Sequence, residues 1–421
     1  MPAAVPTFEE QPASAPRALV SDAMWSLMGE GLYAAGLFAT LVLLARLGSV
    51  QALGQYTLGM AIATPAILLT NFHLRPAFVV DPGRWHYAQY LSLRLLTVPC
   101  ALVLTAIAAS MAGLEPTTVA VVVLVGGLRG LEALSDILLA PAQKAERMAS
   151  IGRSRALRGV LTASGIGVGL AITGDIVVAL GLALVLLAGL SALHDIPAAR
   201  RFASVRPKRP TRALLGLARH TLPIGLAAAL LAASANTPAY VLEHEHDVAT
   251  LGYFGAAMSA IYFGQVLNVA LGNAAIPRLA RKTTREGLRS LLGRLLLVVA
   301  MLNALVLLGA LVLGELYLGM IYGEDYVAYA PELVLASAAA GVAGLANMLS
   351  QALTALGRFT DQLMINLVSL GGSVLVAIWL VPGGGLRGAM WALLALAVLR
   401  LAIYGVALSR ATPRTPEARE T

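Results

Sequence analysis

The sequence predicts an all-α polytopic membrane protein with about twelve transmembrane helices. Three observations predict it. Hydrophobic residues make up 58% of the 421 positions and charged residues only 12%, too little polar surface to cover a water-soluble fold. Apolar runs recur from near residue 24 to near residue 408, each close to the roughly 20 residues a helix needs to cross about 30 Å of hydrocarbon. The runs are long and unbroken rather than alternating, so their backbone groups pair internally as helix and not as barrel strands.

In chain order the expected spans are 24–46, 52–72, 89–111, 117–141, 157–174, 176–194, 220–242, 250–272, 295–317, 331–357, 361–380 and 388–408. Residues 1–21 are rich in Ala and Pro and lack the layout of a signal peptide; they and 409–421 are expected to be cytoplasmic tails, the first of them disordered. The lone Cys100 sits in an apolar run and allows no internal disulfide.

Positive charge picks the side. Connections after even-numbered spans hold Arg75 and Arg84; Lys144, Arg147, Arg153, Arg155 and Arg158; Arg200 through Arg219; and Arg278 through Arg294. The opposite connections carry Asp175, Glu243, Glu245, Asp247, Glu324 and Asp325, with Arg387 the exception. By the positive-inside rule both termini are cytoplasmic. The net charge of +8 is therefore loop charge beside anionic membrane lipid, and with no recognition motif around it nucleic acid is excluded as a partner.

The longest connection, 195–219, is basic and contains Pro, and it separates an N-lobe of six spans (22–194) from a C-lobe of six (220–408). Leu53-Gly54-Gln55-Tyr56 opens the second span and Leu251-Gly252-Tyr253-Phe254 the eighth, the trace of a parallel repeat of the kind transporters use.

Candidate chemistry lies inside the spans. Arg129, Glu132 and Asp136 fall at spacings of three and four, on one face of the fourth span. Arg129 is about 18 Å from the outer end at 1.5 Å per residue, near the midplane. A charge there costs about 2.5–3.5 kcal/mol, so the stripe faces protein, water or substrate. Two readings stand: an internal ladder in which Glu132 satisfies Arg129, and an anion or proton site lining a cavity. Glu30, in the first span, matches Asp136 in depth. Glu30, Glu132 and Asp136 are the candidates for coupling to H⁺ or Na⁺, with a bridge to a neighbouring arginine the equal alternative. Arg400 in the last span is also near midplane, whereas Arg46 and Arg94 lie near helix ends and are expected to snorkel. Pro65, Pro99 and Pro238 interrupt spans, and Asn236 just before Pro238 is placed to line a cavity. Arg129, Arg400 and Asn236 are the substrate-binding candidates.

Gly165, Gly167 and Gly169 read as close helix packing. The run from Glu243 to Asp247 reads as a solvated acidic turn rather than a metal site, and no metal or cofactor is expected. There is no GxxxxGK[ST], HExxH or GxSxG, and the outer connections are too short for a catalytic domain, so the chain is not expected to be an enzyme.

Four stretches carry a family likeness. The first runs Leu47-Gly48, Leu53-Gly54-Gln55-Tyr56, Leu74-Arg75 and Asp81. The second is Arg129-Gly130-Leu131-Glu132-Ala133-Leu134-Ser135-Asp136 with Gln143-Lys144, Arg147-Met148 and Leu157-Arg158-Gly159. The third joins Asn236, Pro238 and Tyr240 to Leu251-Gly252-Tyr253-Phe254 and Pro277-Arg278-Leu279-Ala280. The fourth is Tyr322-Gly323-Glu324-Asp325-Tyr326 with Ala355-Leu356-Gly357-Arg358. Together they resemble a Wzx-type polysaccharide flippase of the multidrug, oligosaccharidyl-lipid and polysaccharide exporter superfamily.

That resemblance implies a fold of two six-helix lobes around a central cavity, and transfer of an oligosaccharide linked to an isoprenoid diphosphate of the undecaprenyl type, across a bacterial inner membrane, for O-antigen or exopolysaccharide assembly. It also implies a polymerase or other assembly protein as partner, and an H⁺ or Na⁺ counter-ion. Arginine suits the diphosphate because its fork donates bidentate hydrogen bonds. The alternatives are a cation-coupled multidrug exporter of the same superfamily and, disfavoured by the short outer loops, a membrane enzyme acting on lipid-linked sugars.

Overall fold

Apolar segments with no water to pair their peptide groups close their hydrogen bonds internally, and the computed structural model accordingly has helices and no strand among its described residues. Those residues are 16–81, 83–145, 147–207, 212–259, 268, 271, 279, 285–356 and 358–410. The expected tail residues 1–15 and 411–421 lie outside them, as do Lys208, Arg209, Pro277, Arg278, Ala280, Arg281, Lys282 and Gly357.

The first half of the chain forms α1 (Pro16–Leu47), α2 (Val50–Asn71), α3 (Leu74–Val80), α4 (Tyr87–Met111), α5 (Pro116–Leu138), α6 (Ala140–Lys144), α7 (Met148–Thr173) and α8 (Ile176–Leu190), then a π-turn Ser191–Asp195 and α9 (Ile196–Arg200). The second half forms α10 (Arg212–Glu245), α11 (Val248–Ser259), α12 (Arg285–Ile321), a 3₁₀ turn Glu324–Tyr329, α13 (Ala330–Ala355) and α14 (Phe359–Arg410).

Among the described residues ten helices are long and apolar enough to cross a membrane. They hold eleven of the predicted spans, because α14 carries both 361–380 and 388–408. It bends at Gly385, whose φ of 52° and ψ of −135° suit a residue without a side chain. The remaining predicted span, 250–272, begins in α11 and continues outside the described set. The chain is thus a multi-pass membrane protein, and its surface agrees: Leu297, Met301, Leu305, Val312 and Trp379 are exposed, a display that hydrocarbon tolerates and water does not.

Small residues set the close contacts. α1 lies on α7 with Gly29 against Gly152 and Gly36 against Gly159, main chain on main chain. Gly165 and Gly169 meet Ala183 and Ala179 of α8, while Gly167 faces Leu43, so the glycines of the fifth span serve packing. The two halves meet along α2 and α10. They also meet where Gly54 and Gly252 approach: a Cβ on Gly54 would overlap the Val248 carbonyl, and one on Gly252 the Val50 carbonyl.

Candidate functional site

On α5 the spacing of Arg129, Glu132 and Asp136 turns all three toward the interior of the first half, but their partners differ. Arg129 Nη1 donates to Glu132 Oε2 and to the Tyr33 hydroxyl, 3.3 Å away. Tyr33 in turn donates to Glu132 Oε1 at 2.7 Å. The Arg129 side chain keeps 25% exposure, yet its Nε is buried and has no hydrogen-bond partner. Beside it lies a void of about 10 Å³, lined by Leu37, Tyr56, Met60 and Thr162 among others, room for a single water.

From this triad a series of charges leads along α1 and α7 toward the end carrying the basic loops. The Arg155 guanidinium stacks over the Tyr33 ring at 5.0 Å and its Nε sits 3.2 Å from Glu30 Oε1. Glu30 is half exposed. The order Glu30, Arg155, Tyr33, Glu132, Arg129 therefore runs from an open rim to the enclosed void.

Asp136 belongs to a different cluster. Arg75 Nη1 donates to Asp136 Oδ1 at 2.8 Å and Arg75 Nε to Gln143 Oε1 at 2.6 Å. Lys144 Nζ donates to the carbonyl of Asp81 at 2.7 Å. The Asp81 carboxylate accepts the backbone N–H groups of Gly83, Arg84 and Trp85 and the Tyr90 hydroxyl. Burial pushes its pKa up, but these hydrogen bonds outweigh burial and hold the carboxyl below the usual carboxylate range. Leu-Arg…Asp and Gln-Lys, two elements of the family likeness, thus knit the basic end of the first half together.

The most deeply buried ion pair among the described residues is one the sequence reading does not single out. Asp195, fully buried, accepts from Arg158 Nη2 at 2.7 Å, from the Ser135 hydroxyl at 2.7 Å and from the Ser154 hydroxyl at 2.8 Å. His194 Nδ1 lies 3.0 Å away. Asp195 closes the π-turn after α8, at the point where the hydropathy reading begins the linker. A carboxylate directly after the apolar run of the sixth span, with an arginine at the start of the fifth, is the available signal.

Arg94 does not snorkel as its position near a helix end led us to expect. It is 1% exposed, because α4 packs between α2 and α5, and it donates to the carbonyl and side chain of Asn71. Arg400 is likewise buried and donates to Asn347 Oδ1 at 3.1 Å. Asn236 donates to Ala232 O of its own helix at 2.8 Å. Among the described residues, no hydrogen bond joins Arg400 or Asn236 to the Arg129 triad.

In the acidic turn, Asp247 accepts the N–H and hydroxyl of Thr250, both at 2.6 Å, which lowers its pKa. Among the described residues no three His, Cys, Asp or Glu side chains gather as metal ligands do. The larger concavities are apolar grooves: one of about 630 Å³ between α2, α4 and α10, and one of about 430 Å³ along α12.

These charges form a pattern. Glu30, Glu132, Asp136 and Asp195 are each joined to an arginine. Arg94 and Arg400 donate to asparagine oxygens and, among the described residues, form no salt bridge.

No family model and no curated protein matches the sequence. Solved structures do match, over nearly its whole length. An inward-facing multidrug resistance MATE family transporter of the MOP superfamily is 14% identical, with a TM-score of 0.62 over 93% of this chain and 98% of that one. A mutant of the Vibrio cholerae MATE transporter VcmN is 15% identical, with a TM-score of 0.65 over 94% and 97%. The lipid II flippase MurJ, in an inward closed conformation, is 11% identical, with a TM-score of 0.71 over 93% of this chain and 87% of that one. The chain has the fold these transporters share.

Proposed function

We propose that this chain is a transporter which moves an isoprenoid-diphosphate-linked oligosaccharide from the inner to the outer leaflet of a bacterial inner membrane, for surface-polysaccharide assembly. The observation that carries the reading is the pair of buried guanidiniums, Arg94 and Arg400, which donate to asparagine oxygens and form no salt bridge among the described residues. A diphosphate head group needs guanidinium, whose fork donates two hydrogen bonds to its oxygens. The likeness of fold to a lipid II flippase favours the same substrate class.

In this reading the basic loops face the cytoplasm and gather anionic lipid substrates. The lobes 22–194 and 220–408 rock about the linker 195–219 to alternate access. Arg129 and Arg400 receive the diphosphate, Asn236 a sugar hydroxyl, and the isoprenoid tail stays in hydrocarbon. Any H⁺ or Na⁺ coupling falls to Glu30, Glu132 or Asp136, of which Glu132 stands beside the water-sized void. A polysaccharide polymerase takes the product.

The test is transfer of a fluorescent undecaprenyl-diphosphate oligosaccharide in vesicles holding the purified protein. Arg129→Ala and Arg400→Gln should each abolish transfer at normal protein level, with Arg129→Lys retaining part. Full activity of the alanine and glutamine variants removes these residues from the mechanism. Wild-type protein that moves no such lipid, in a strain whose deletion is drug-sensitive, establishes the exporter reading instead.

A further inference from the structure

We infer that Arg46 is a positioning residue of the transport cycle, a latch that holds the two halves together at the end opposite the basic loops; the inference rests on the alternating-access reading above. Arg46 stands in the last turn of α1 and reaches across to the C-terminus of α12. Its Nε donates to Ile321 O at 2.9 Å, and its Nη2 to Gly319 O at 3.0 Å and Met320 O at 2.5 Å.

These carbonyls are the open ones. The N–H groups of Tyr322 and Gly323 both return to Leu318 O, and Gly323, at φ 122°, turns the chain away. Gly319, Met320 and Ile321 thus sit at the negative pole of the α12 dipole, where backbone acceptors lack intrahelical donors. One planar guanidinium spans all three, a geometry an ammonium cannot reproduce.

Other contacts between the halves gather at the same end. Phe38 of α1 stacks on Tyr317 of α12 with ring centroids 6.5 Å apart, and Gly54 and Gly252 bring α2 and α11 into main-chain contact. Arg46 differs from these in being solvent-exposed. Water replaces its hydrogen bonds as the ends part, so they resist opening without forbidding it.

The experiment reads conformation without substrate. In full-length protein carrying Cys100→Ser, spin labels at Gln51→Cys and Glu245→Cys, both exposed rim positions, report the distance between the halves. The closed arrangement should dominate with Arg46 present. Arg46→Ala should raise the ratio of long to short distances by about tenfold, and Arg46→Lys should fall between. Identical distributions in all three monodisperse proteins overturn the latch. Should the ratio shift while the protein moves no lipid-linked oligosaccharide, the latch stands and the substrate reading fails.

Discussion

Gly54 and Gly252 touch across the two halves of the molecule: a Cβ on Gly54 would stand 3.1 Å from the Gly252 nitrogen and run into the Val248 carbonyl, and the reverse substitution would meet Val50. Backbone cannot give way as a side-chain end can. Gly54→Ala should therefore destabilise the protein by about 1–3 kcal/mol, read as a lower thermal midpoint in detergent. Gly181→Ala, whose Cβ would meet open space inside α8, is the control and should leave the midpoint unchanged or slightly raised. Equal shifts in the two would mean the main-chain contact between the halves carries no weight.

The Arg158–Asp195 pair yields a prediction of sign as well as size. Both side chains are buried and Asp195 also holds two serines. Asp195→Leu leaves an unpaired buried guanidinium and should cost about 3–5 kcal/mol, while Arg158→Met combined with Asp195→Leu should cost clearly less. Thermal unfolding of the two variants decides it. A double variant worse than the single one would show that the serines, not the ion pair, hold α5, α7 and the π-turn together.

Asp81 sets an acid limit for the loop after α3. Its folded-state pKa lies below the ordinary value, so the unfolded chain binds the proton first. The contribution is complete above the ordinary aspartate pKa of about 3.9 and is lost as pH falls through the folded-state value, a window below about pH 4. Asp81→Asn should remove that dependence and flatten the acid limb of a stability profile recorded in detergent from neutral pH downward. An unchanged limb would assign acid loss to other carboxylates.

Hydropathy made the fold legible because the bilayer imposes a length on every span. Even the split of α14 could be read, where Pro382 and the glycines up to Gly385 interrupt the run. The site was legible in part. Spacing alone put Arg129 and Glu132 on one face, but it could not assign Asp136 to Arg75, because that pairing depends on α3 folding beneath α5. Asp195 was hidden for a related reason: a carboxylate at the end of an apolar run looks like the start of a loop until a π-turn carries it inward. Arg46 showed only that it was near a helix end. Its partners are backbone carbonyls, which leave no mark in a sequence.

Tyr33, Glu132 and Arg129 separate a structural ladder from a coupling site. Tyr33→Phe removes one hydroxyl, leaves the ring on which Arg155 stacks, and keeps the Arg129–Glu132 pair; it should cost about 1 kcal/mol of stability. Glu132→Gln leaves Arg129 with a neutral partner beside a one-water void, and should cost more, about 3 kcal/mol or above. A ladder predicts nothing further. If Glu132 takes up the coupling proton, Glu132→Gln protein that still folds should transport at a rate indifferent to an imposed pH gradient, while Tyr33→Phe retains the gradient response at reduced rate. Stability in detergent and gradient-driven transfer in vesicles, measured on the same two variants, give the two answers separately. Gradient dependence that survives Glu132→Gln would return Glu132 to the ladder.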